Sequence, residues 1–146
     1  METIRFLDEN GTFELKNPET VSGLYFPLAS ETGLKSAVAP DLAGDSKLDQ
    51  ESFLLEPVSI EDLRNSRGTR NFWCVTEKGC WSATGVSAEQ EAARFTPEQD
   101  ESRLTAGFLW QSVRRVSKRY GLQAELTSFV PPDENVEILE IRITNQ

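Results

Sequence analysis

Apolar residues recur with a period of two along most of the chain, the pattern of strands that bury one face. Ile4 and Phe6 alternate with polar neighbours, Asn10-Gly11 follows, and Phe13 and Leu15 resume the alternation. Asn-Gly between two such runs predicts a hairpin, because a type I′ turn needs positive φ at both central residues. Leu24, Phe26 and Leu28 form the next phased set, and Pro27 within it points to a sheet edge or a strand start. Leu34, Ser36 and Val38 come after Gly33. Residues 39–50 are rich in Pro, Gly and Asp and read as a long loop. Phe53-Leu54-Leu55 is a short apolar patch, and Ser59 to Leu63 reads as one helical turn with Ser59 as N-cap and Asp62 in the third position.

The second half repeats the theme. Residues 70–76 and 80–85 predict two paired strands. Residues 86–101 are a polar excursion in which Ser87 and Gln90 are placed to cap a short helix. Leu104, Ala106, Phe108 and Trp110 are in phase on one face of a strand, and Leu122, Ala124 and Leu126 on one face of another. In the last run the phase slips: Val136 and Ile138 share one face, Leu139, Ile141 and Ile143 the other. Either a β-bulge near Ile138 reconciles them, or both faces are covered. No helical pattern exceeds about two turns. The pattern predicts an all-β chain, an antiparallel β-sandwich with at most short helical turns, in a single domain over 1–146. The chain stops directly after an apolar strand, which is the expectation for a piece of something longer.

Composition narrows the chemistry. The 146 residues include 24 acidic and 15 basic side chains, a net charge of −9. Such a chain is repelled by phosphate backbones, so nucleic acid is excluded as a main partner. There is no histidine, which removes Ser-His-Asp and Cys-His nucleophile activation, imidazole acid–base catalysis and nearly all catalytic zinc sites. Cys74 and Cys80 flank the predicted hairpin loop. With Glu77-Lys78-Gly79 as the loop, Cys74 pairs with Ser82; with Glu77-Lys78 as the turn, Val75 pairs with Cys80. Neither register sets Cys74 opposite Cys80, so two free thiols and a reducing compartment are expected. No basic and apolar leader opens the chain, and no apolar run approaches the ~18 residues of a membrane span. The expected location is cytoplasmic, with no membrane partner, no metal and no cofactor.

Four residues are candidates for ligand contact. Trp73 and Trp81 lie on either side of the hairpin turn, and aromatic faces stack on the apolar faces of sugar rings. The competing reading makes them core residues, as it does Trp110. Arg67 and Arg70 sit in the Gly-containing segment NSRGTR just before the hairpin, and guanidinium forks suit phosphate or sugar hydroxyls; the competing reading is a solvated loop. Arg114, Arg115, Lys118 and Arg119 form the only basic run. Arg114 and Arg115 point to opposite faces of a strand, and the run is expected to match the acidic Asp133, Glu134, Glu137 and Glu140. No carboxylate pair, phosphate loop or nucleotide fingerprint stands out, so no catalytic residue is assigned.

The strings FELKNP (13–18), LYFPLASETGLKSAVAP (24–40), GDSKLDQESFLLEPVSIEDL (44–63), SRGTRNFW (66–73), WSATG (81–85), AGFLW (106–110), SKRYGL (117–122) and TSFVPPDENVEILEIRITN (127–145) occur in that order. Together they resemble the N-terminal β-sandwich of the cellobiose phosphorylase family (glycoside hydrolase family 94, formerly glycosyltransferase family 36). The YFPL and RNFW blocks are most similar to the branch acting on laminaribiose or β-1,2-oligoglucans. The resemblance implies part of a galactose-mutarotase-like supersandwich at the start of a longer multidomain enzyme. It implies a parent glycosyltransferase that cleaves a β-glucosidic bond with inorganic phosphate as co-substrate, inverts the anomeric centre and releases a sugar 1-phosphate. The acid for that chemistry lies in a helical barrel this chain does not reach. The implied role here is non-catalytic: homodimerisation and shaping a site for a β-linked glucan oligosaccharide. If any segment approaches sugar, it is the 65–73 loop with Arg67, Arg70 and Trp73. The rival is a stand-alone carbohydrate-binding module.

Overall fold

The structure is a computed structural model that describes residues 4–21, 23–55 and 70–146. The chain is built of antiparallel β-sheets in a sandwich-like arrangement, as the period-two pattern predicts. Six strands make the larger sheet: β1 (Arg5–Phe6), β2 (Phe13–Lys16), β9 (Glu101–Gly107), β10 (Trp110–Ser117), β11 (Leu122–Phe129) and β12 (Ile138–Asn145), in the order β1-β2-β9-β10-β11-β12. Four shorter strands make the second: β3 (Phe26–Ala29), β4 (Lys35–Val38), β5 (Ser46–Lys47) and β6 (Phe53–Leu55). Strands β7 (Trp73–Thr76) and β8 (Gly79–Ser82) form a separate hairpin, followed by the short helix α1 (Ala88–Ala93). Ser59–Leu63 and Arg67 lie outside the described residues.

The inner face of the larger sheet can be read straight across its register. Leu15, Leu104, Val113, Leu126 and Ile141 stand opposite one another on five adjacent strands. They meet Phe26, Leu28, Leu34, Val38 and Leu42 from the β3–β4 side, and Trp81 and Ala83 from the hairpin. Burying apolar surface between the layers at about 25 cal/mol per Å² is the main force holding them together. Pro27 falls on β3, the edge of the four-stranded sheet, where its missing N–H costs no ladder bond. Gly44 has φ of +133°, and a Cβ there would overlap the backbone of Ala37. The 39–50 segment can therefore fold back on β4 only with glycine at that position, and it contributes β5.

Several expectations are corrected. The β1–β2 connection is not a type I′ turn. Gly11 has positive φ but Asn10 does not, and the Asp8 carboxylate accepts the N–H groups of Asn10 and Thr12, closing a longer loop. Phe108 and Trp110 do not continue β9. Phe108-Leu109 is a two-residue turn, with Leu109 in the left-handed region (φ 60°), Phe108 exposed at the tip, and Trp110 half-buried as the first residue of β10. There is no bulge near Ile138: β12 starts there and runs in unbroken register with β11, while exposed Val136 precedes the strand. The basic run is not matched to 133–140. Arg115 pairs with Glu19, Lys118 with Glu101 and Arg119 with Glu89, whereas Glu137 pairs with Arg70.

Candidate functional site

The β7–β8 hairpin turns at Glu77-Lys78, pairing Val75 with Cys80, Cys74 with Trp81 and Trp73 with Ser82. Paired residues share a face and neighbours along a strand alternate, so Trp73 and Trp81 are on opposite sides of the hairpin. They form no shared platform. Trp81 is fully buried, packed with Leu28, Leu34 and Val38, and its indole N–H donates to Asp100 Oδ2 at 2.8 Å. Trp73 is 47 % exposed and shares the outer face of the hairpin with Val75 (80 %). Both thiols are free, and burial pushes the Cys74 thiol up, away from the reactive thiolate form.

A buried polar layer fixes the hairpin against the sandwich. Ser87 and Gln90 do cap α1: Ser87 Oγ accepts the Gln90 N–H, and Gln90 Oε1 accepts the Ser87 N–H. The Gln90 amide also donates to Ser82 O (2.9 Å) and to Asp100 Oδ2 (2.8 Å), tying helix and hairpin to the residue that precedes β9. On the other side, Asn71 Oδ1 accepts the hydroxyls of Ser82 and Thr84, both at 3.0 Å. The capping signal was visible in the sequence; its second task of pinning β8 was not, because Ser82 and Asp100 come from separate elements.

Arg70, expected in a loop that meets phosphate or sugar, is a buried anchor at the foot of β7. Its Nε and Nη2 donate to Glu137, the latter at 2.9 Å, and the remaining N–H groups reach the carbonyls of Leu42 (3.2 Å), Gly44 (3.3 Å) and Asp45 (3.1 Å). Ser36 Oγ donates to the same carboxylate. The guanidinium fork is fully engaged by protein groups, which joins the 42–45 loop, β4 and the entry to β12.

A second buried pair, Glu19 and Arg115, holds the far end of the larger sheet at 3.5 Å. Arg115 stands opposite Ser102 and Ala124, whose small side chains leave room for it, and Arg115 Nη2 also reaches Thr84 O. Burial alone would raise the Glu19 pKa, but Arg115 with Ser102 and Gln99 outweighs it and holds the carboxyl below the usual range. A depressed native pKa supplies stability that is complete above the unfolded value and lost as pH falls through the native one. The wild-type protein is therefore expected to lose stability as pH falls through the usual carboxylate range and below it, with a shallower loss in Glu19→Gln. Urea melts at several pH values check this. Equal slopes for both proteins would assign the acid sensitivity elsewhere.

The open face of the larger sheet carries a cleft of about 240 Å³ lined by Lys16, Arg103 and Arg114 with Glu101, Asn17, Ser102 and Val116. The three cations stand opposite one another on β2, β9 and β10. Arg103 is engaged by Glu14 at 2.6 Å and Arg114 by Gln123 at 2.6 Å. Among the described residues no group of three or more His, Cys, Asp or Glu is placed to hold a metal, and no helix is long and apolar enough to cross a membrane. Of the sequence-predicted contact residues that the structure describes, Trp73 alone keeps an exposed side chain, whereas Arg70 and Trp81 are buried. No protein-family model matches the chain, and no curated protein matches it.

Proposed function

We propose that this chain is the non-catalytic N-terminal β-sandwich part of a cytoplasmic, inverting β-glucoside phosphorylase, acting in dimerisation and in shaping the sugar site. The complete enzyme would bind a β-linked glucan oligosaccharide and use inorganic phosphate as co-substrate, with no further cofactor. The resemblance of the ordered strings from FELKNP to TSFVPPDENVEILEIRITN motivates the reading. The observation that carries it is Trp73: a half-exposed indole on a hairpin whose foot and inner face are locked by Arg70, Asn71 and Trp81. A rigid aromatic face of that kind is what a sugar ring stacks on.

The test begins with the gene. Its reading frame is expected to run on past codon 146 into a helical domain, and its full product to release a sugar 1-phosphate from laminaribiose and inorganic phosphate. In that product Trp73→Ala is expected to raise KM for the oligosaccharide several-fold with kcat nearly unchanged, the mark of lost uniform binding. A stop codon after Gln146, or a full-length product without phosphorolysis, would overturn the reading. The exposed Trp73 side chain also favours a second reading, a free-standing carbohydrate-binding module. That one requires the 146-residue chain alone to bind laminarin oligosaccharides and to lose the binding in Trp73→Ala.

A further inference from the structure

Asn10-Gly11, read from the sequence as a type I′ turn, is left by the fold in an open loop instead. Residues 7–12 close around it. Asp8 Oδ1 accepts the N–H of Asn10 at 2.9 Å and that of Thr12 at 3.0 Å, and the Leu7 N–H donates to Thr12 O at 2.7 Å. These bonds skip the Gly11 N–H, which has no partner among the described residues, and none of them holds the Asn10 side-chain amide. Asn10 and Gly11 are both exposed. A Cβ built on Gly11 would meet nothing within 4 Å, so the space around its backbone is open.

Asparagine is thermolabile because the backbone nitrogen of the next residue can reach its side-chain carbonyl carbon and close a five-membered ring. That attack needs a free N–H, a following residue that leaves room, and a carboxamide that nothing holds. The other asparagines described each lack a condition. Asn17 precedes Pro18, which has no N–H. Asn71 Oδ1 accepts the Ser82 and Thr84 hydroxyls and the N–H of Phe72, the very group that would attack. Asn135 Oδ1 accepts from Ser30, Thr32 and the Leu34 N–H, and β-branched Val136 follows it. Asn145 lies in β12 and precedes Gln146. Asn10 meets all three conditions.

We propose that Asn10-Gly11 is a self-modification site: Asn10 converts spontaneously to aspartyl and isoaspartyl forms, with water as the only co-reactant, and the isoaspartyl form loosens the loop that latches β1 to β2. The Gly11 nitrogen gives its proton to solvent base and bonds to Asn10 Cγ. The Cγ–Nδ2 bond breaks, and the amide nitrogen leaves as ammonia with a proton from solvent. The remaining ring is a succinimide. Water adds to one of its two carbonyl carbons and breaks that carbon's bond to the Gly11 nitrogen. Addition at Cγ restores the main chain with an aspartyl side chain. Addition at the backbone carbon leaves the main chain running through Cβ and Cγ, one carbon longer. Either product adds one negative charge to the −9 of the chain, directly after Asp8 and Glu9. The longer backbone also moves Thr12 out of register with Asp8 and Leu7. Only two residue pairs, Arg5–Glu14 and Phe6–Phe13, otherwise join β1 to β2. The reaction lies within two consecutive residues, so neither the sugar reading nor whatever follows residue 146 bears on it.

Timed incubation of the folded chain, followed by digestion in acid and peptide mass spectrometry, tests this. The peptide holding Asn10 is expected to gain the mass that replaces an amide NH2 by OH, and electron-transfer fragmentation to resolve both products. The conversion is expected to run several-fold faster one pH unit higher, because the attacking nitrogen must first lose its proton. Asn71 and Asn135 are expected to lag about tenfold or more, since each must first free an oxygen that accepts three hydrogen bonds. Gly11→Ala places a Cβ beside the attacking nitrogen and is expected to slow the conversion about tenfold. Asn10→Asp carries the new charge on an unlengthened backbone. Hydrogen exchange at the Leu7 amide is therefore expected to quicken in the isoaspartyl chain and to stay slow in fresh Asn10→Asp. Asn10 converting no faster than Asn135, an equal rate in Gly11→Ala, or a Leu7 amide as protected in the isoaspartyl chain as in the fresh one would each overturn the proposal.

Discussion

Replacing Arg70 by alanine is expected to cost about 3–5 kcal/mol of folding free energy, the cost of breaking a buried ion pair from one side. The Arg70 and Glu137 side chains are 6 % and 12 % exposed, so water cannot take over the lost partner. The substitution leaves the Glu137 carboxylate with Ser36 alone among the partners described above, and removes the donors to the Leu42, Gly44 and Asp45 carbonyls. Against a typical domain stability of about 5–15 kcal/mol this is a large fraction, and a melting temperature lowered by about 10 °C is expected. Arg70→Lys keeps the charge but replaces the planar fork with one compact ammonium, which cannot reach Glu137 and three carbonyls on different sides. It is expected to recover less than half of the loss. Urea midpoints for the two variants check both statements, and a loss under about 1 kcal/mol for Arg70→Ala would place Arg70 among ordinary surface pairs.

Legibility in the sequence followed the range of the interaction. Where one strand carries its own signal, the sequence was sufficient. Leu122, Ala124 and Leu126 alternate with Gln123 and Glu125, Pro27 marks an edge, and the Ser87–Gln90 spacing is a local capping geometry that needs nothing else. The Phe108-Leu109 turn was hidden because neither residue is Gly, Asn, Asp or Pro, and Phe108 happens to keep the phase of Leu104 and Ala106. Its two residues invert the facing, which is why Trp110 lands on the outer side. The partners of Arg70, Arg115 and Arg119 were illegible for a different reason. A charge specifies its sign but not its mate, and Glu137, Glu19 and Glu89 are brought up by topology. The candidate site shows the same division. Alternation separates Trp73 from Cys74 and Trp81 from Cys80, but only the packing of the hairpin on β4, α1 and Asp100 decides which indole is inside.

That decision makes the two tryptophans respond oppositely to truncation. Trp81→Ala is expected to cost about 3–5 kcal/mol, since a fully buried indole leaves a cavity its neighbours cannot close. Leu28, Leu34, Val38, Ala83 and Leu126 belong to the same cluster and lose packing partners together. Trp81→Phe retains most of the volume and gives up chiefly the charged hydrogen bond to Asp100, worth about 1.5–3 kcal/mol. Trp73→Ala removes a half-exposed ring that closes no cavity, and its cost is expected to stay below about 1 kcal/mol. The same contrast is readable in emission. In the Trp73→Ala protein the emission is expected to come from buried Trp81 and half-buried Trp110 and to shift to the blue, and acrylamide quenching is expected to fall because the most exposed indole is gone. A Trp73→Ala chain destabilised as much as Trp81→Ala would mean that the outer indole also serves packing. The proposed sugar contact at Trp73 would then lose the observation that carries it.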